Sequence, residues 1–141
     1  MDGFIWAAAA CYSLSVIFAV IIGFMYLINP KLFHYHEWAL GRKWEELGLK
    51  LQTLLAAFMK GVGGAIVALG LSMAAMIIFA FRSGEMWSYY AIPIVSLIGW
   101  GIWLYLMVFI RQKTKAKTPV FVPVVGIVLI VVGFVLSFLG L

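Results

Sequence analysis

The residues best suited to chemistry are gathered in one short polar segment. Both histidines and three of the five acidic residues lie between positions 34 and 46, interleaved with aromatic side chains. The members of this group are His34, Tyr35, His36, Glu37, Trp38, Trp44, Glu45 and Glu46. Imidazole and carboxylate groups act as metal ligands and as general acids and bases, so the segment raises both possibilities.

Helix geometry argues against a metal site in this segment. Residues two apart on a helix point about 200° away from each other, so His34 and His36 cannot share an ion there, whereas His34 and Glu37 can. A third ligand is missing, because Cys11 lies about 18 residues before the end of its helix, or roughly 27 Å away. We predict no metal and no cofactor, and we keep His34, His36 and Glu37 as candidate acid and base groups.

Lys60 is the second candidate for a functional residue. It stands at the start of a charge-free run from Gly61 to Phe81, and glycines follow it closely. The structural interpretation is a lysine that extends its ammonium group to the membrane surface. The functional alternative is a cleft that binds a lipid headgroup or small anion, lined by Lys60, Gln52, Glu45 and Glu46. We favour the structural interpretation.

Four long apolar runs must position these residues. The chain is 66% apolar and only 11% charged, against about 25% charged residues in soluble domains. The runs cover about 4–28, 61–81, 86–110 and 120–141, and a run of 21 residues spans roughly the 30 Å of a hydrocarbon core. The predicted fold is an all-α membrane protein: four transmembrane helices in an antiparallel bundle, forming one integral membrane domain over residues 1–141.

The connection at 29–60 is predicted to be helical and amphipathic. Asn29 and Pro30 are typical of a helix N-cap and first turn, and Gly41 is typical of a helix end. A second helix is expected from about Lys43, with one apolar side consisting of Trp44, Leu47, Leu51, Leu54, Leu55 and Phe58. The sequence does not decide whether this helix runs straight into the second span, since Gly48 and the glycines at 61–64 each allow a bend.

Basic residues are distributed unequally between the two ends of the predicted bundle. The connections at 29–60 and 111–119 hold all the basic residues except Arg82. The positive-inside rule therefore predicts cytoplasmic connections and non-cytoplasmic termini, and the compact topology suits a prokaryotic plasma membrane. This distribution, with attraction to anionic lipid, explains the net charge of +5 better than nucleic-acid binding does.

Small residues recur along the first two spans at the spacing of helix–helix contacts. In the first span they are Ala7, Cys11, Ser15, Ala19 and Gly23, and in the second Gly61, Gly64, Ala65, Ala68, Ser72 and Ala75. Gly126, Gly133, Ser137 and Gly140 give the fourth span a further contact surface. We expect these faces to pack within one chain, and contacts between subunits are the alternative.

Several function classes are disfavoured. None of the four spans contains an acidic residue, which argues against a proton- or cation-coupled transporter. The span number resembles that of the small multidrug-resistance exporters, but the first-helix glutamate of that family is absent among Cys11, Tyr12, Ser13 and Ser15. The arginine- and asparagine-rich motif of the glutathione-dependent microsomal enzymes is also missing.

Three functional hypotheses follow. The favoured one is an accessory or self-associating membrane bundle without catalysis, with membrane lipids and a homo-oligomer or larger membrane complex as partners. The second is a binder or carrier of a lipid or other lipophilic molecule, with Trp100, Trp103 and Tyr105 lining a pocket between helices. The third is an interfacial enzyme that uses His34, His36 and Glu37.

Overall fold

The computed structural model describes residues 3–141, and this part of the chain is all-helical. The helices are α1 (Gly3–Ile28), α2 (His34–Leu40), α3 (Leu49–Ala75), α4 (Met86–Thr114) and α5 (Phe121–Leu139). A 3₁₀ turn at Trp44–Glu46 precedes α3, and a π-helical turn at Met76–Phe81 extends it. Helices α1, α3, α4 and α5 are long and apolar enough to cross a membrane, which confirms the predicted fold class.

The connection between the first two spans differs from the prediction in detail. Helix α2 begins at His34 and not at Pro30, because the Asn29 side chain accepts a bond from the Lys31 amide and forms a local turn. Gly41 ends α2 with φ of 66°, as expected. The bend before the second span falls at Gly48, and α3 runs unbroken through the glycines at 61–64.

Helix α3 and its π-helical extension are longer than a bilayer requires. Together they form 33 residues, or about 50 Å against roughly 30 Å of hydrocarbon core. The charge-free run at 61–81 forms the last 21 of these 33 residues. The first 12, at 49–60, extend beyond it with Leu51, Leu54 and Phe58 exposed, whereas Leu47 in the preceding turn is buried.

Helix α1 packs between α3 and α5, and glycines allow the close approaches. A Cβ on Gly63 would lie 2.6 Å from the Gly23 carbonyl oxygen and from the Leu27 amide nitrogen, so the α1 and α3 backbones nearly touch there. Gly133 of α5 faces the Tyr12 ring, and Gly140 faces Ile5. These contacts supply the close packing that holds helices together in lipid.

The bundle has two chemically different ends. Arg82 lies over the Trp6 ring at one end, and Gly140 contacts Ile5 there, so this end gathers both described termini and the short turn before α4. The other end consists of residues 29–48 and 115–120, and we call it the basic end. Helices α3 and α4 meet closely only at the π-helical turn, which leaves a seam between them toward the basic end.

Candidate functional site

The polar residues of the connection bond mainly to each other and to nearby backbone. Glu37 accepts the Trp44 amide at 2.9 Å and faces the His34 Nδ1 at 3.2 Å. The Trp44 amide, and then the His34 side chain, hold the pKa of Glu37 below its usual range. These bonds fold the segment back on itself and leave His34 almost wholly exposed to solvent.

The predicted anion cleft around Lys60 is not assembled in this arrangement. Glu45 forms an ion pair with Lys31 at 2.6 Å, and Glu46 accepts the Lys43 amide. Gln52 donates to the Trp44 carbonyl at 2.8 Å. Lys60 lies exposed on α3 and lines none of the cavities described below.

Tyr35 and His36 turn toward the bundle, unlike His34. The Tyr35 hydroxyl hydrogen-bonds to the hydroxyl of Tyr26 on α1, and the His36 ring packs edge-on to the Tyr26 ring at 6.0 Å. The His36 Nδ1 is buried and has no hydrogen-bond partner within residues 3–141. Burial lowers the pKa of His36 to about 4 and raises that of Tyr35, so both are neutral at pH 7.

The candidate acid and base groups therefore do not converge on one space. His34 faces solvent beside Glu37, while His36 faces the aromatic rings under α2. Across residues 3–141, no three histidine, cysteine or acidic side chains come close enough to hold a metal ion.

A large cavity with an apolar, aromatic wall lies at the basic end, and we call it the basic-end cavity. Its volume is about 470 Å³, and it opens between α1, α2, α4 and the start of α5. Ile22, Met25 and Tyr26 line it from α1, and Trp103 and Met107 line it from α4. His34 and Lys117 lie at its margin, with the Lys117 ammonium 5.7 Å from the centre of the Trp38 ring.

Two more cavities of similar size adjoin it around Tyr26. One, of about 300 Å³, lies in the seam between α3 and α4, where Val62, Ile66 and Ile102 form its sides. The other, of about 330 Å³, lies under α2 beside Leu55 and Met59. Tyr26 borders all three, so its ring and its bond to Tyr35 form the partition between them.

The tryptophans of α4 connect these spaces to the middle of the bundle. Trp100 is buried, stacks on Trp103 at 5.7 Å and donates its indole N–H to the Ser15 hydroxyl at 2.9 Å. Gly126 leaves the space that the Trp100 ring fills, because a Cβ there would overlap the ring. Tyr105 instead lies exposed on the outer face and stacks on Phe109.

Some of the small residues of the first two spans are buried in helix contacts, and others are exposed. Ser15 and Gly23 are buried, Cys11 and Ala19 are half-buried, and Ala7 is exposed. On α3, Gly61, Ala68 and Ser72 are exposed, and Gly64 has only ordinary contact with Leu27. The closest approaches fall to Gly63 and Gly70, which the four-residue spacing alone did not single out.

Sequence reasoning missed the two residues that organise this end. Tyr26 lies inside the first apolar run, and Lys117 is one of four basic residues in the last connection, so neither stood out. Tyr26 carried a usable signal, since a buried tyrosine needs a polar partner for its hydroxyl, whereas no comparable signal marks Lys117 among its basic neighbours. Comparison with protein-family models, curated proteins and solved structures returned no match.

Proposed function

We propose that this membrane protein binds an anionic amphiphile, a fatty acid or an anionic lipid, at the basic end of its helix bundle. The observation that carries the proposal is the basic-end cavity: about 470 Å³ of apolar, aromatic-walled space with a cation at its margin. Ligand sites of about 300–1,000 Å³ typically combine such walls with a few polar groups that fix orientation.

The charge at the margin favours an anionic headgroup. Lys117 is exposed and lies next to the cavity, and the other ionisable groups that line it are the His34 imidazole and the phenols of Tyr26 and Tyr35. Among residues 3–141, no carboxylate lines this cavity, and the Glu37 carboxylate next to His34 is already bonded to the His34 ring and the Trp44 amide. The alkyl part of the ligand then lies among Met25, Trp103 and Val122.

The cavity favours the second sequence-based hypothesis, a binder or carrier of a lipophilic molecule, over a bundle that works through packing alone and over an interfacial enzyme. A bundle that works through packing alone has no need of several apolar cavities beneath α2. An interfacial enzyme based on His34, His36 and Glu37 needs those groups around one substrate, and two of them face different surroundings.

Native mass spectrometry with three lipophilic probes tests the proposal. Oleate and dioleoyl phosphatidylglycerol share the anionic chemistry, and dioleoyl phosphatidylcholine has the same chains with a zwitterionic headgroup. We expect retention of an anionic probe over phosphatidylcholine, and the stronger of the two anionic signals identifies a fatty acid or a lipid as the ligand.

Two variants, each with a matched control, locate the binding. Lys117→Gln should weaken anionic retention about fivefold, while Lys50→Gln, the same charge change on the exposed start of α3, should not. Val122→Trp fills the cavity and should abolish retention, whereas Val128→Trp on the exposed face of α5 should preserve it. Equal retention of all probes, or equal effects of each variant and its control, would contradict the proposal.

A further inference from the structure

A fourth, smaller cavity lies at the middle of the membrane-spanning region and differs in chemistry from the cavities near the basic end. It has a volume of about 80 Å³ and lies between α1, α3 and α4. Ser15 and Ser96 border it, each near the middle of its own span, together with Gly70 and Trp100. Among the described residues 3–141, none that lines it is charged.

The two serine hydroxyls have hydrogens without an acceptor. Ser15 accepts the Trp100 indole N–H, which leaves its own hydrogen to be donated elsewhere. Other hydroxyls in the helices donate to the carbonyl four residues earlier, as Ser72 does at 2.9 Å and Thr53 at 2.8 Å. Within residues 3–141, Ser15 and Ser96 donate no such bond, although Ser15 is 1% exposed and Ser96 is 9% exposed.

Because two buried hydroxyl donors border a cavity lined by uncharged residues, a ligand that matches this cavity carries an uncharged hydrogen-bond acceptor. A carbonyl oxygen has two lone pairs and can accept both hydroxyl hydrogens at once. An anion there would lack a countercharge in the middle of the bilayer, where isolated charge is costly. The chemistry of the cavity therefore fits a ketone, quinone or ester carbonyl.

The seam between α3 and α4 supplies room for the rest of such a molecule. Ile66, Gly99 and Trp103 border both the small cavity and the seam cavity of about 300 Å³. On α4 the seam runs from Gly99 to Ile110, or about 16 Å, which matches the depth of one leaflet. Val62 and Ile102 at its edges are 50% and 57% exposed, so the seam opens toward lipid.

We infer that the small cavity binds the carbonyl oxygen of a neutral lipophile through Ser15 and Ser96, while the apolar chain of that lipophile lies in the α3–α4 seam. This site is separate from the anionic site at the basic end, because it uses other polar groups and another ligand class. Its test is independent of Lys117.

The test measures binding of 2-hexadecanone, labelled with ¹³C at its carbonyl, to the purified full chain. We expect saturable binding and a shift of the carbonyl infrared band to lower frequency, as hydrogen bonding to an oxygen produces. Hexadecane, which lacks the acceptor, should bind at least tenfold more weakly. An unshifted band, or equal affinity for both probes, would overturn the inference and leave water as the occupant of the cavity.

Four variants test whether ketone binding depends on the serine hydroxyls and on the α3–α4 seam. Ser96→Ala removes a hydroxyl that bonds to nothing in the described chain, so folding should persist while ketone affinity falls about fivefold. Ser72→Ala is the matched control, since that hydroxyl is exposed on α3. Gly99→Leu fills the seam and should abolish binding, whereas Gly101→Leu, which points into open space, should not. Unchanged affinity in Ser96→Ala and Gly99→Leu would also overturn the inference.

Discussion

The Trp100 indole nitrogen donates a hydrogen bond of 2.9 Å to the Ser15 hydroxyl, which joins α4 to α1 at the middle of the bundle. Closer to the basic end the same two helices meet through aromatic rings, where Tyr26 of α1 lies edge-on to Trp103 of α4 at 6.0 Å between ring centres. The bond fixes the indole plane over Gly126 and against Phe18, at 5.9 Å between ring centres. One polar contact thus sets the position of the aromatic wall that borders the cavities.

Ser15→Ala should lower the free energy of unfolding by about 1 kcal/mol. The reason is that the Trp100 N–H loses its acceptor inside a water-poor bundle, where an unpaired donor is unfavourable. Unfolding in sodium dodecyl sulfate, followed by tryptophan fluorescence, measures the change. Ser72→Ala is the control, because that side chain is exposed and bonds within its own helix. Equal stability of the two variants would contradict this assignment.

Gly63→Ala should destabilise the bundle by about 1–3 kcal/mol, while Gly61→Ala should be close to neutral. The added methyl group at position 63 would meet backbone atoms of Gly23 and Leu27 at 2.6 Å, and backbone cannot move aside as a flexible side chain can. At position 61, apart from the local helix backbone, no atom of residues 3–141 lies within 4 Å of the new methyl group. The same detergent unfolding measurement applies, and a Gly61→Ala loss as large as that of Gly63→Ala would refute the close approach.

The fold was predictable because its main signal, the length of each charge-free apolar run, can be read directly along the sequence. A charge-free run long enough to cross a bilayer identifies a span whatever its neighbours are, and the four runs correspond to α1, α3, α4 and α5. Helix ends were less predictable, since Asn29 is equally suited to a local turn and to a cap. The start of α3 at Leu49 likewise depends on the Gly48 bend.

The candidate site was not predictable in the same way. Charge and spacing singled out Lys60 and Glu45 as candidate site residues. In the structure Lys60 is exposed at the surface, and Glu45 forms an ion pair with Lys31. The seam cavity lies where α3 and α4 diverge, and the basic-end cavity lies between α1, α2, α4 and the start of α5. No single segment encodes the distance between two helices. Tyr26 acquires its role from Tyr35, which a separate helix brings to it.

Placing a reporter at the carboxyl end tests the orientation that the basic residues predict. Because the basic connections should be cytoplasmic, a reporter after Leu141 that is active only after export should be active. A reporter in the connection at 115–118 should give the opposite result and serves as the control. Activity of a cytoplasm-dependent reporter at the carboxyl end would reverse the orientation.

Tyr35→Phe should loosen α2 from the bundle. The variant keeps the ring but removes the hydroxyl that bonds to Tyr26, so about 1 kcal/mol of docking free energy is lost and the undocked population rises about fivefold. A spin label at Ala39→Cys, in a Cys11→Ala background, reports this as increased mobility. Tyr105→Phe, at an exposed ring, is the matched control. Unchanged label mobility in Tyr35→Phe would exclude a docking role for the hydroxyl pair.

Docking of α2 should also weaken at acidic pH through His36. The docked imidazole has its pKa lowered from 6.5 to about 4 by burial, so the undocked helix binds the proton more readily between these values. Docking free energy is therefore fully present above about pH 6.5 and declines as the pH falls toward 4. The titratable groups packed against His36 are Tyr26 and Tyr35, which stay protonated throughout this range. Glu37 bonds instead to His34 and to the Trp44 amide.

The spin label at position 39 measures this pH dependence. Its mobility should increase as the pH falls from 6.5 to 4. The His36→Phe variant should lose this pH response, and the His34→Gln variant should keep it. A response that survives in His36→Phe would assign the titration to another group.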